Sequence, residues 1–182
     1  PDSSSIFGEY PKLLKDHALI GMICDTIRLL VTSNQPPNPE TVADNLTVTI
    51  KTHHHSVMKP AAALANLEGA LPALGIVACV LGVVKTMAAI DQPPAILGAL
   101  IGSALVGTFL GVFMAYGIVG PLAARLAQII DEEGQIYAVA KFTLIGHVRG
   151  DPVPLIIESA RAAIDHHSAP TFAEVFDGLR GK

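Results

Sequence analysis

The 182-residue chain has no tryptophan and only two cysteines, and 15% of its residues are charged. Soluble domains carry about 25% charged residues. The deficit is not spread evenly: residues 95–124 contain no Asp, Glu, Lys, Arg or His, and residues 70–90 contain one charge, Lys85. Without tryptophan, the indole belt common at membrane interfaces is missing; Phe109, Phe113 and Tyr116 are the aromatics of the apolar region. Cys24 and Cys79 fall in segments of different polarity, so a disulfide is not expected, and no Cys/His spacing suits a metal. The net charge of -4 gives no basic balance to suggest nucleic acid. No P-loop and no G-x-S-x-G motif occurs, so the chain does not read as an enzyme, and no cofactor is expected. Asp131-Glu132-Glu133 reads as a solvated face. The chain starts at Pro1, and no signal peptide is expected, because the first apolar stretch is short and follows a serine-rich start.

What the chain does have is length without charge, and its mean hydropathy is +0.49. Two apolar runs, Ala70–Ile90 and Ala95–Ala124, are divided by Asp91-Gln92-Pro93-Pro94. At ~1.5 Å per residue, either helix can cross a hydrocarbon core of roughly 30 Å. The pair reads as a transmembrane helical hairpin: residues 70–90 a span, 91–94 a periplasmic turn, 95–124 a span that continues into the cytoplasm. Lys12, Lys15, Arg28, Lys51 and Lys59 precede it, and Arg125, Lys141, Arg149, Arg161, Arg180 and Lys182 follow it. The turn has neither Lys nor Arg, which puts residues 1–69 and 125–182 on the cytoplasmic side. The expected fold is an all-α membrane protein, a hairpin flanked by cytoplasmic helices.

The flanks read as amphipathic helices. Apolar residues recur at three- and four-residue steps over Lys12–Thr32, with Pro11 at a first turn, but Lys15, Asp16, Asp25 and Arg28 rule out a span. Gln35-Pro36-Pro37-Asn38-Pro39 makes a loop. Leu46–Ile50 alternates with period two and is rich in β-branched residues. A lone strand would have no partner, so residues 40–58 are expected to be helical. His53-His54-His55 point about 100° apart on a helix and cannot share one ion well. Met58–Asn66 reads as a short alanine-rich piece leading into the membrane. Beyond the hairpin, Ala123–Gly146 continues helical, with Gly134 a candidate interruption. His147–Pro152 makes a turn. Helices are expected over Pro154–His167 and Thr171–Leu179, with Ser168 or Thr171 as cap.

Within the hairpin, Leu71-Pro72 and Gly120-Pro121 are candidate kinks. Gly98-x-x-x-Gly102 and Gly107-x-x-x-Gly111 are small-residue pairs that let helix backbones approach closely. The few polar groups are Cys79, Thr86, Ser103, Thr108 and Tyr116, and packing explains each; Thr108, amid the glycines, is the one that would best face a polar path. Neither apolar run contains a carboxylate. A proton or cation relay normally needs an ionisable group, so an ion path here would take that group from a partner chain.

The stretch Leu71–Met87, then Pro94–Gly102, Leu105–Gly111 and Ala115–Ala123, resembles the A subunit of the bacterial flagellar motor stator, the MotA type, within the family of MotA, PomA, ExbB and TolQ. Tyr10-Pro11, Asp16-His17, Thr52-His53, Pro152–Glu158 and Pro170–Phe172 extend the resemblance over essentially the whole chain. It implies third and fourth spans of a four-span subunit of the inner membrane. Such subunits form a ring, a pentamer, around a B subunit of the MotB type that supplies the ion-binding aspartate. Ion flow through the complex turns the ring against a rotor switch protein of the FliG type. Pro72 and Pro121 match the prolines that couple conduction to movement, Thr108 matches the threonine near the partner's aspartate, and Tyr116 also matches. Sodium-driven members carry threonine where this chain has Cys79, so protons are the expected ion. The family's first two spans and its rotor-contacting charges have no counterpart in these residues, and the hairpin alone is not expected to work. The other readings are an ExbB- or TolQ-like energising subunit and a structural membrane scaffold.

Overall fold

The computed structural model describes residues 6–33, 37–166 and 168–180, and among these every regular element is helical. The expected loop at Gln35-Pro36 and the expected helix end at His167 lie outside the described residues. The chain divides into two compact units, Pro1–Ser56 with Asp131–Lys182, and Val57–Ile130.

In the first unit, α1 (Pro11–Leu14) and α2 (His17–Thr32) replace the single helix expected over this region. The break is chemical. The Asp16 carboxylate accepts the Leu19 N–H at 3.0 Å and so caps α2 from within the run. Helix α3 spans Pro39–Val57. Its strand-like stretch is helical because Val42 and Leu46, one turn apart, are both buried. The Thr47 and Thr49 hydroxyls donate back to the carbonyls of Ala43 and Asn45, so the β-branched residues satisfy themselves on the helix. Helix α6 (Gly120–Arg149) passes Gly134 unbroken. A helical glycine costs roughly 0.5–1 kcal/mol, less than the burial of Tyr137, Leu144 and Ile145 along the same helix returns. These three, with Leu19, Met22, Val42 and Leu46, form the core of the unit.

The turn expected at His147–Pro152 begins later, because α6 runs through Arg149. Gly150 adopts φ +73°. Its N–H bonds the His147 carbonyl and the Asp151 N–H bonds that of Gly146, the paired closure that a left-handed glycine permits. Helix α7 (Val153–Arg161) starts with Pro154 in its first turn and ends earlier than expected. Helix α8 (Phe172–Arg180) opens on a reciprocal cap: Thr171 Oγ1 accepts the Glu174 N–H, and the Glu174 carboxylate accepts the Thr171 N–H at 2.7 Å. That contact holds the Glu174 carboxyl below its usual range.

Three elements meet at one hydroxyl. Tyr137 on α6 donates to the Asp16 carboxylate at 2.8 Å and lies 3.0 Å from His53 Nε2 on α3, with the two rings stacked at 4.8 Å. With the tyrosine proton on Asp16, His53 Nε2 is the donor. Burial, then the hydrogen bond to Asp16 and its charge, push the Tyr137 hydroxyl well above its usual range. The stability this contributes is present below pH ~10 and is lost as pH rises beyond it, because the unfolded tyrosine ionises first. Tyr137→Phe is expected to cost about 1–3 kcal/mol at neutral pH, since Asp16 and His53 lose a shared partner. Thermal unfolding of the detergent-solubilised protein checks this, and the gap between wild type and variant should narrow above pH ~10.

The second unit is a helix pair. Helix α4 runs Lys59–Met87 and α5 runs Pro94–Phe113. The alanine-rich piece at Met58–Asn66 is not separate: Pro60 sits in the first turn of α4, where a missing N–H costs nothing, and the helix continues from there. The connection also starts earlier than expected, at Ala88, and ends on Pro93 in extended conformation (ψ 146°), as a residue before proline prefers. The most apolar windows of α4 and of the stretch Pro94–Arg149 are only 6% and 11% buried. A core helix of a soluble protein would be mostly buried; these present Leu74, Leu81, Leu105 and Phe109 outward, which suits lipid or other helices.

Candidate functional site: the glycine seam of the hairpin

Helices α4 and α5 meet backbone to backbone. A Cβ on Gly111 would stand 2.7 Å from the Leu71 carbonyl, and one on Gly75 would stand 2.8 Å from the Gly107 carbonyl. A Cβ on Gly107 would touch that of Ala78 at 3.0 Å, and one on Gly82 would overlap Ala104. The seam therefore runs antiparallel from Leu71 opposite Gly111 to Gly82 opposite Ala104. At the glycine positions of the seam a side chain larger than hydrogen would run into the facing helix, and close van der Waals contact takes the place of a hydrophobic drive.

Among the residues expected to matter, the seam brings together Cys79, Thr108, Gly107 and Gly111. Thr108 Oγ1 lies 3.4 Å from the Gly75 carbonyl of the facing helix, in contrast to Thr86, which bonds one turn back to Gly82 at 3.0 Å. A 3.4 Å hydrogen bond is long, so the Thr108 hydroxyl is loosely held at the narrowest part of the pair. The backbone N of Cys79 lies 3.5 Å from the position a Gly107 Cβ would take, and its thiol is half-buried. Pro72 is half-buried in the interior of α4.

The other expected residues lie elsewhere. Tyr116 is 64% exposed. Pro121 is exposed too, and its effect is seen one turn earlier. Proline offers no N–H to the carbonyl four residues back, and its ring crowds that carbonyl. The backbone widens into a π turn, Met114–Val119, in which the Gly120 N–H reaches back five residues to the Ala115 carbonyl. The first glycine pair, Gly98 and Gly102, meets no described atom within 4 Å. Only the second pair packs within the chain, because α4 reaches its closest approach on Gly107 and Gly111. The residue of α4 that faces both members of that pair is Gly75, and Gly82 faces Ala104 further along; both are visible in the sequence as glycines seven apart in the first run, and what identifies their partners is the antiparallel register of the hairpin. The π turn had one signal, Pro121 inside a long apolar run.

An exposed apolar helix pair with a small-residue seam, and with no metal-ligating cluster among its described residues, defines a membrane protein built on a packed helical hairpin. The family model of the MotA/TolQ/ExbB proton channel family matches residues 18–138, and the chain belongs to that family. It is 38% identical over 180 residues to Motility protein A of Salmonella typhimurium, covering 99% of this chain and 60% of that protein. The match to Motility protein A of Escherichia coli is 37% with the same coverage. The chain thus spans about 60% of the length of the curated relatives it matches. The solved structure of C. jejuni MotAB superposes with a TM-score of 0.70 at 16% identity, over 87% of this chain and 65% of that one, a likeness of fold.

The seam makes a contrast that can be measured. Gly111→Ala is expected to destabilise the pair by about 1–3 kcal/mol, because its Cβ meets a backbone carbonyl that cannot move aside. Gly102→Ala, in open space, is expected to be neutral or to stabilise by about 0.5–1 kcal/mol through helix propensity. Unfolding midpoints of both variants in detergent micelles check the order.

Proposed function

We propose that the chain is part of a flagellar motor stator A subunit, which with a B subunit conducts protons across the inner membrane and turns their flow into torque. The observation that carries the reading is the Thr108 hydroxyl, loosely held on the Gly75 carbonyl at 3.4 Å, inside an apolar pair whose seam contains no carboxylate. A proton path along that pair needs an ionisable group from outside the chain, as the B subunit of the MotB type would supply. Membership of a proton channel family and relatives named Motility protein A favour the motor over an energising subunit for outer-membrane transport.

On this reading α4 and α5 are the third and fourth spans of a multi-pass subunit, the connection at Asp91–Pro94 is periplasmic, and both flanks are cytoplasmic. Five copies surround the B subunits and act on a rotor switch protein of the FliG type. Thr108 and Cys79 line the path of the proton. Pro72 and Pro121 are the points where conduction is coupled to helix movement, and Tyr116, exposed on the π turn, faces a neighbouring chain. Gly98 and Gly102, open within this chain, serve packing between chains.

In the full-length protein expressed with its B subunit, Thr108→Val and Pro72→Ala are each expected to lower swimming speed and proton leak together. Unchanged swimming and unchanged leak in both variants would remove the site assignment. Exchange of sodium for potassium in the medium is expected to leave motility intact; its loss would contradict the choice of proton.

A further inference from the structure

Between Val57 and Ile130 the sequence has two carboxylates, Asp91 in the connecting turn and Glu68 at the opposite end of the hairpin. The other charges of this stretch are Lys59 and Arg125 toward the Glu68 end and Lys85 toward the turn. Three observations converge on Glu68. It lines a cleft of about 330 Å³ between α4 and the start of α6, walled by Ala61, Ala65, Gly120, Ala123 and Ala124. Its carboxylate occupies space that a side chain at residue 120 would take: a Cβ on Gly120 would stand 2.8 Å from Glu68 Oε1. And it precedes Pro72 by four residues, so its backbone carbonyl is the one that Pro72, lacking an N–H, leaves without a helical partner.

Glu68 thus touches both interruptions of the hairpin. Its carbonyl belongs to the Pro72 break in α4. Its side chain lies against Gly120, whose N–H closes the π turn that precedes Pro121. A carboxylate can take up a proton from one partner and release it to another within hydrogen-bond reach. The alanine walls leave room for water beside it, and a water needs polar partners such as the two carboxylate oxygens.

We propose that Glu68 is the proton-accepting group at the inner end of the hairpin. A proton released by the carboxylate of the partner chain passes to a Glu68 oxygen, forming the neutral acid. The acid then gives the proton to water in the cleft, and the carboxylate is restored. The inference rests on the stator reading above, and adds to it an acceptor on this chain that the two interrupted turns hold in place.

The test uses the full-length subunit expressed with its B subunit in cells carrying a cytoplasmic pH indicator. Proton influx and swimming speed are normalised to the amount of complex in the membrane. Glu68→Gln, which keeps shape and removes proton acceptance, is expected to lower influx per complex about tenfold or more, and Glu68→Asp to restore a substantial part of it. A merely structural role would let the glutamine, the closer mimic of shape, perform better than the aspartate. Wild-type influx in Glu68→Gln would overturn the inference while leaving the stator reading intact. If Glu68→Gln does not reach the membrane, Gly120→Ala carries the test, since it keeps the acid and displaces it: a several-fold loss is expected, and unchanged influx overturns the proposal. A wild-type pair that neither swims nor acidifies the cell would overturn the stator reading, and this inference with it.

Discussion

The contact between the backbones of α4 and α5, with Gly111 on the Leu71 carbonyl and Gly75 on that of Gly107, is the constraint on which the hairpin depends. In lipid there is no hydrophobic reason for two apolar helices to associate, because the surrounding tails are as apolar as their side chains. What remains is dispersion between closely approached backbones, and that requires hydrogen where other residues carry a methyl or more. Glycine at residues 75, 82, 107 and 111 meets this need, and alanine at 78 and 104 completes it. The same contact fixes register. With Leu71 opposite Gly111, Thr108 falls on Gly75, and α4 packs against the π turn that follows α5. A shift of one residue would set side chains where carbonyls now stand.

Proline acts in two ways along this chain, and position decides which. Pro11, Pro39, Pro60, Pro94 and Pro154 stand in the first turns of α1, α3, α4, α5 and α7, where the missing N–H has no carbonyl to serve and the fixed φ suits a helix start. Pro72 and Pro121 stand after helical residues. Pro72 removes one hydrogen bond and α4 continues through it. Pro121 is accommodated by a change in ladder, from four-residue to five-residue bonds over Met114–Val119. Both interruptions fall toward the Glu68 end of the pair, away from the connecting turn. The hairpin is regular near the turn and irregular near its other end, so the backbone groups able to change partners gather at one end.

Most of this was legible from charge and spacing. Two apolar runs with a single charge between them, Lys85, announce the hairpin, and prolines mark most of the helix starts. The two glycine pairs look alike in the sequence; Gly107 and Gly111 lie on the contact with α4, whereas Gly98 and Gly102 lie open within this chain. Sequence could not separate them, since packing depends on which residues of α4 lie opposite, a property of register. The split between α1 and α2 was hidden because Asp16 looked like a polar interruption of one amphipathic face, and only its hydrogen bond to the Leu19 N–H makes it a cap. The Asp16–Tyr137–His53 contact joins residues up to 121 positions apart, and no local pattern encodes it. The strand-like alternation of Leu46–Ile50 yielded to burial of Val42 and Leu46, as local propensity of about 1 kcal/mol or less yields to a core.

The distribution of ionisable groups sets the limit on what the helix pair can do by itself. A proton moves between groups within hydrogen-bond reach, about 3 Å, or along bridging water. From Glu68 to the end of α4 at Met87 is 19 residues, or about 28 Å of helix, and the only titratable side chains in that length are Cys79 and Lys85. Neither is a carboxylate, the kind of group a proton relay through an apolar region normally uses. The hydroxyls of Thr86 and Thr108 are engaged with carbonyls and can pass a proton only if water stands on both sides. At the seam's glycines the facing helix leaves no room even for a methyl group. On the stator reading, this favours a conducting route beside the seam rather than through it, along a face of the pair that the chain leaves open, where a second chain would bring a carboxylate within reach.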